Sequence, residues 1–376
     1  MRVLFDYQAV LRTRYGGIPR YFIELLSQFN SDKDVEAIYP KSYCRNIDFR
    51  EIFIPNSNSL RYRLSDFVVD SAQKYLHVNP AKYLSDAYSQ GIKLLDSRNY
   101  DIFHPMSFEP YFYKHLHNKP LILTLHDISA ELYPELYGLE HANIKNVGIS
   151  INYATRFIAN SEYTKKQFVE YYDIDNDLID VVYLGYNPLS PVKRDTLFES
   201  HHSYILFVCS GRKGNKNVHS WLGIVRNILI SYNINVVFAG GGPISADEKA
   251  FFKNIGLLGR IIQKNVNDSE LYILYQNALA LVFPSINEGF GIPILEAFSC
   301  GCPVLCSNTS SLPEVGGDAA LYFSPKDIMS VRESLLSIIC DEKLRERMRE
   351  RGYKQLEKFS WKKCAEETKK VYDKVL

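Results

Sequence analysis

The sequence predicts an α/β fold of two Rossmann-like, doubly wound domains facing a central cleft. Three observations carry this. Apolar runs of strand length alternate with helical stretches, the pattern of parallel strands covered on both faces. The alternation comes in two series, separated by a stretch rich in Pro, Ser and charge from Asn187-Pro188 to His202. The 376 residues also suffice for two domains of about 100–200 residues each. The domains are drawn as 1–188 and 189–356, with the last helix, 357–376, expected to return and complete the first.

The first series opens on Arg2-Val3-Leu4-Phe5-Asp6, then Gly16-Gly17, then Tyr21, Phe22, Leu25, Leu26 and Phe29 at helical spacing. Ile102–His104, Leu121–Leu125 and Phe157–Asn160 read as further strands. Residues 41–100 are less regular, polar and aromatic, and are expected to form helices and loops facing a substrate. The second series has strands at Tyr204–Cys209, Ile234–Ala239, Ala278–Phe283 and Pro303–Cys306. From Asp327 the pattern is helical, and the alternating charges of 343–351 read as a solvated helix face. Two such domains place a ligand between the carboxyl ends of both sheets.

Composition narrows the classes. A hydrophobic share of 46% with 23% charge is that of a soluble globular protein. A net charge of +1 argues against nucleic acid as a partner. Seven cysteines without framework spacing read as reduced thiols. Cys300, Cys302 and Cys306 cluster, but no nearby His or fourth Cys makes them a metal set, and they read as small buried hydrophobes. No leader-like run opens the sequence and no stretch of about 18 apolar residues occurs, so a cytoplasmic protein is expected.

The strongest motif runs from Pro284 to Ala297. A strand ends at Phe283, a loop with Gly289 and Gly291 follows, and Pro293 falls where a helix can begin. Glycines admit a ligand close to the backbone, and a helix N-terminus offers amides to phosphate. Glu288 lies in the loop and Glu296 about a turn inside the helix. Carboxylates there would repel phosphate unless aimed at hydroxyls, so a sugar-bearing ligand explains them better than a capping acid. A second motif, Gly211-Arg212-Lys213-Gly214-Asn215-Lys216-Asn217, follows the first strand of the second domain, where fixed cations can neutralise a diphosphate. His126, followed by Asp127, ends a first-domain strand on the cleft side; His104 ends another and could line the acceptor side. Gly16-Gly17 precedes a helix carrying Arg20, and Ser161 and Thr164 read as helix caps.

The Pro284–Ala297 segment resembles the E-x7-E signature of retaining glycosyltransferase family 4, a GT-B family. The likeness continues through Gly301-Cys302-Pro303-Val304 and Ser307–Ala320 and extends over nearly the whole chain. It implies that Glu288 lies by the transferred sugar, that Glu296 bonds the ribose hydroxyls, and that Gly289, Phe290, Gly291 and Ile292 bind the donor. It further implies that Arg212 and Lys216 hold the pyrophosphate, His126 the donor sugar, and Gly16 and Gly17 the donor phosphate. In the common form Arg-Lys-Asn is contiguous, whereas here Asn215 precedes Lys216. Catalysis is thus expected from His126, Glu288, Arg212 and Lys216, with no metal and no cofactor beyond the nucleotide-sugar donor. A dehydrogenase is excluded by the lack of G-x-G-x-x-G after the first strand. A non-catalytic sugar-nucleotide sensor is disfavoured by the intact set of site residues. The likeness is greatest to bacterial members that build surface polysaccharides. The expected reaction moves mannose from GDP-mannose to a lipid-linked oligosaccharide, the alternative donor being a UDP-sugar. Such an acceptor implies peripheral attachment at the inner membrane face, and Leu60–Leu84, with Arg61, Arg63 and Lys74, is the candidate mouth, its aromatics being core otherwise.

Overall fold

The computed structural model of the chain describes residues 1–12, 16–41, 44–54, 81–137, 142–189, 203–209 and 211–376. The candidate membrane mouth at 60–80, with Arg61, Arg63 and Lys74, lies outside the described residues. In the first half, β1 (Arg2–Phe5), β2 (Glu36–Ile38) and β3 (Ile102–His104) form one sheet, and β4 (Ile122–Leu125), β5 (Arg156–Ala159) and β6 (Ile179–Val181) another. A parallel bridge between Phe103 and Leu121 joins them into the order β2-β1-β3-β4-β5-β6. In the second half, β7 (Tyr204–Val208), β8 (Asn235–Ala239), β9 (Ile261–Lys264), β10 (Ala280–Phe283), β11 (Val304–Ser307) and β12 (Leu321–Phe323) pair as β9-β8-β7-β10-β11-β12. Every pairing is parallel.

These orders fix where ligands can go. In the second sheet the winding reverses between β7 and β10, and in the first between β1 and β3. Loops leaving adjacent strands at such a reversal diverge and open a crevice at the carboxyl edge. The two loops at the second reversal are those that carry Arg212, Lys216 and Glu288.

The helices cover the sheets through their apolar stripes. In Gly17–Phe29 the side chains of Tyr21, Phe22, Leu25, Leu26 and Phe29 are buried with Val3 and Phe5 of β1. In Val218–Ser231, Trp221, Leu222 and Val225 pack on Ile205, Phe207, Val236 and Phe238. The strands absent from the sequence reading are β2, β6, β9 and β12, which are the edges of the two arrays. Cys300, Cys302 and Cys306 are buried free thiols. The 343–351 stretch is more engaged than a solvated face: Arg345 donates to the carbonyls of Ile338 and Ile339, and Arg349 to that of Gly301.

The last helix, Trp361–Asp373, lies on the first half of the chain. Ser360 caps it by accepting from Lys363 N, and Tyr372 packs on Phe29 and hydrogen-bonds His104 Nδ1 at 2.6 Å. Lys369 pairs with Asp34 at 2.6 Å. The outgoing segment after β6 passes so close to the start of this helix that a Cβ on Gly185 would fall 2.2 Å from Trp361 N and 2.6 Å from the Ser360 carbonyl carbon. Both are backbone atoms and cannot rotate aside. Gly185→Ala should therefore cost about 1–3 kcal/mol or more by overpacking, with a Tm lowered by several degrees in calorimetry. An unchanged Tm would contradict this close crossing.

Candidate active site

The facing carboxyl edges enclose a cavity of about 430 Å³ with walls from both halves of the chain. The first half contributes Gly17, Ile18, Tyr21, His126, Asp127 and Asn160. The second contributes Cys209, Lys216, Glu288, Gly289, Phe290, Gly291 and Ile292, among others. Gly16 is the N-cap residue of the helix that begins at Gly17.

The loop from Pro284 to Gly291 leaves β10 and enters the helix Ile292–Ser299, with Pro293 in its first turn as expected. The loop is held from several sides. Ser311 Oγ donates to the carbonyls of Glu288 (2.9 Å) and Phe290 (2.8 Å). Asn215 Nδ2 donates to Asn287 O at 2.9 Å, and Ile286 N to Asn215 O at 2.8 Å. Asn287, fully buried, donates through Nδ2 to Ser129 Oγ at 2.9 Å and accepts from the Tyr163 hydroxyl at 2.9 Å. A Cβ on Gly289 would sit 1.7 Å from the His126 carbonyl oxygen. Only glycine permits this approach, which presses the donor loop against the strand end that carries His126.

Three cation–carboxylate pairs surround the cavity. Lys216 Nζ donates to Glu288 Oε1 at 2.6 Å and lies 5.9 Å from the centre of the Phe283 ring. Burial opposes the charge on Lys216, but the Glu288 carboxylate outweighs it and holds the ammonium above the usual lysine range. Arg212 is placed differently. Its Nε donates to Glu248 Oε1 at 2.7 Å and its Nη2 to Oε2 at 3.1 Å, and further donations reach the carbonyls of Gly242 and Pro243. The Arg212 hydrogen bonds hold Glu248 down to about 2. Arg212 is 4% exposed and is not on the cavity wall. The structure thus brings Lys216, Glu288 and His126 together and leaves Arg212 behind them, shaping the Gly240–Pro243 turn. Glu296 is also off the wall: Arg20 of the first half reaches its Oε1 at 3.2 Å, and the Tyr275 hydroxyl its Oε2 at 3.2 Å. Burial raises Glu296 against the opposing pull of Arg20.

His126 is 7% exposed, and its Nε2 has no hydrogen-bond partner. Burial pulls its pKa down to about 4, against the neighbouring Asp127. The ring is neutral at pH 7, held edge-on by Tyr21 (centroids 5.7 Å) and Phe22 (6.1 Å). His104, by contrast, does not line the acceptor side. It is fully buried, with Nδ1 on the Tyr372 hydroxyl and Nε2 on Thr124 Oγ1 at 2.7 Å. Ser161 and Thr164 do more than cap a helix. Ser161 accepts from Thr164 N at 3.0 Å, but both hydroxyls also donate to Gly289 O, at 2.8 and 3.2 Å. Asn160, Asn287 and Glu314, which lie within segments read from the sequence but carried no role there, complete the junction.

Two doubly wound domains closing on one cavity, with the Lys216 and Glu288 loops at the reversal of the second, have the GT-B architecture of glycosyltransferases. The Glycosyltransferase Family 4 profile matches residues 15–188, and that of Glycosyl transferases group 1 matches residues 192–355. O-antigen chain mannosyltransferase B of Escherichia coli is 26% identical, the alignment covering 99% of either chain. O-antigen chain mannosyltransferase RfbU of Salmonella typhimurium is 24% identical over 86% of this chain and 87% of its own. Among solved structures, a Rickettsia africae glycosyltransferase superposes with a TM-score of 0.69 at 18% identity, covering 100% of this chain and 98% of that one. Anabaena Alr3699/HepE in complex with UDP and glucose does so with 0.73 at 14%, covering 99% of each. The chain belongs to glycosyltransferase family 4.

The buried imidazole of His126 yields a pH prediction. Its folded pKa is depressed, so the unfolded chain binds a proton that the folded one refuses. The stability it contributes is complete above the unfolded value of about 6.5 and is lost as pH falls toward about 4. His126→Gln should therefore lose less stability than the wild type between pH 6.5 and 5, by about 1.4 kcal/mol per pH unit. Urea unfolding at a series of pH values measures this, and parallel curves for the two proteins would contradict a neutral buried His126.

Proposed function

We propose that this glycosyltransferase moves mannose from GDP-mannose, with retention at the anomeric carbon, onto a lipid-linked surface polysaccharide of the O-antigen or capsule type. The observation that carries the reading is the convergence of Lys216, Glu288 and His126 on one cavity beside the Ile292–Ser299 helix N-terminus. The polysaccharide class is supported by two relatives that are O-antigen chain mannosyltransferases along nearly their whole lengths.

In this reading the donor diphosphate lies against the amides of Gly291 and Ile292, where the helix N-terminus favours anions. Lys216 faces it and neutralises the charge that grows as the sugar–oxygen bond lengthens. Glu288 holds Lys216 in place and presents its second oxygen to the sugar. His126, being neutral, can accept or donate a hydrogen bond at a sugar hydroxyl without adding charge beside the oxocarbenium-like centre. Glu296 binds the ribose once Arg20 yields it. The acceptor hydroxyl attacks from the face that the leaving group departs and passes its proton to the departing diphosphate oxygen, and the cavity orients both. The electrostatic work falls to Lys216 and the helix amides, and we propose that no metal is required. Among the described residues no helix is long and apolar enough to cross a membrane. We propose a peripheral position at the cytoplasmic face of the inner membrane, where a lipid-linked acceptor would be met.

The test is nucleoside diphosphate release from a panel of sugar nucleotides, with the product anomer read by NMR. GDP-mannose should be the fastest donor and the product an α-mannoside, and faster release from a UDP-sugar would overturn the donor. EDTA should leave the rate unchanged; a loss restored by a divalent cation would overturn the metal-free mechanism. Lys216→Ala should lower kcat by about 100-fold or more with a smaller change in donor KM, since the cation acts most in the transition state. An effect confined to KM would contradict that role.

A further inference from the structure

The short helix Leu312–Gly316 follows β11 and stands beside the donor loop. Its preceding residue, Ser311, grips the carbonyls on either side of Gly289. One turn on, Glu314 leaves the second domain and reaches the first. Its Oε1 accepts from Glu162 N at 2.7 Å and its Oε2 from Tyr163 N at 3.3 Å. These are the first two amides of the helix Glu162–Tyr172, and a helix leaves its first amides without internal partners. Its N-terminus also favours a carboxylate. Tyr183, in the segment after β6, lies close enough that burial and the Glu314 carboxylate together raise its hydroxyl's pKa.

The same helix start closes a circuit. Ser161 and Thr164 donate to Gly289 O, and Tyr163 to Asn287 Oδ1. Asn160, just before them, donates through Nδ2 to the His126 carbonyl at 3.0 Å. The path runs from Glu314 to the helix, from the helix to Gly289 and His126, and from Ser311 back to the donor loop. Each link carries a hydrogen bond, and four side chains of the circuit, Ser161, Thr164, Asn287 and Ser311, are fully buried.

We infer that Glu314 is a positioning residue for transfer: by holding the N-terminus of Glu162–Tyr172 from the opposite domain, it sets the closed spacing between His126 and the Glu288 loop. It lies off the cavity wall. On the transferase reading most of the nucleotide's contacts come from second-domain groups, with Gly16 and Gly17 adding from the first, whereas the reaction needs both walls in register. Loss of Glu314 therefore falls on turnover rather than on donor binding. The kinetic part of this rests on the transferase reading above; the structural part does not.

The experiment compares Glu314→Ala, Glu314→Gln and Ser161→Ala in the full chain, each checked for native circular dichroism. Three quantities are measured: kcat with the sugar nucleotide that the wild type turns over fastest, Kd for its nucleoside diphosphate, and the radius of gyration by small-angle scattering. Glu314→Ala should lower kcat by about 30-fold or more, since a displacement of about 1 Å in a bound geometry can cost 100-fold. Its Kd should stay within about 3-fold of wild type, as for a group that acts only in the assembled state. Its radius of gyration should rise. Glu314→Gln keeps an acceptor oxygen without the charge and should fall between. Combined with Ser161→Ala, the loss should be less than the product of the single losses, because both act through one junction. Wild-type kcat together with a wild-type radius in Glu314→Ala overturns the inference, as does a loss that lies wholly in Kd. A wild type that turns over none of the sugar nucleotides would defeat the donor reading, and the scattering would still decide the role of Glu314.

Discussion

The arrangement depends on one contact, the packing of Gly289 on the carbonyl of His126. With 1.7 Å between a hypothetical Cβ and that oxygen, the donor loop has no room for any side chain there. The two carboxyl edges thus close to backbone contact beside the cavity that Glu288 and His126 both line. Around it the interface is polar and largely paired, Asn160 Oδ1 and His126 Nε2 being buried there without a hydrogen-bond partner. Ser161, Thr164, Asn160, Asn287 and Glu314 each spend their hydrogen bonds across or beside the junction. Buried groups of this kind cost free energy if left unpaired, so the closed geometry is over-determined by them.

The charges are arranged with the same economy. Three cations line or flank the site, and each has a carboxylate. The Arg212–Glu248 pair, almost without exposure, sustains the turn after β8 and works through the backbone. The Lys216–Glu288 pair lies on the wall, where Lys216 is still able to meet a phosphate. The Arg20–Glu296 pair spans the two domains, so on the proposed reading a ribose at Glu296 would have to displace a first-domain side chain. Phe290 adds an apolar link, packed between Tyr183 at 6.2 Å and Phe359 at 5.9 Å, beside the two places where the chain crosses between domains.

What could be read from the sequence follows burial. Eight strands show as apolar runs because both faces of each are covered. The four that do not show, β2, β6, β9 and β12, are the edges, and β9 has no buried residue. A half-exposed strand of three or four residues carries no period long enough to stand out. The E-x7-E segment, Lys216 and His126 could be found because glycine, acid and cation at strand ends have a chemical meaning independent of partner. Arg212 could be found as a cation but not by its orientation, which depends on Glu248, 36 residues away. His104 presents the same strand-end signature as His126. What separates them is a third dimension: His104 meets Tyr372 of the last helix, and His126 meets the cavity. Asn287 and Glu314 lie inside the motif segments, but their roles could not be read there, since the side chains' partners lie more than 100 residues distant.

The central claim is that backbone contact between the donor loop and the His126 strand end creates the working site. Gly289→Ala tests it most directly, with transfer measured beside nucleotide affinity and thermal stability. The claim predicts that the methyl group holds the domains apart: transfer falls by about 100-fold or more, while nucleoside diphosphate still binds and both domains stay folded. Near-normal transfer by Gly289→Ala would contradict it.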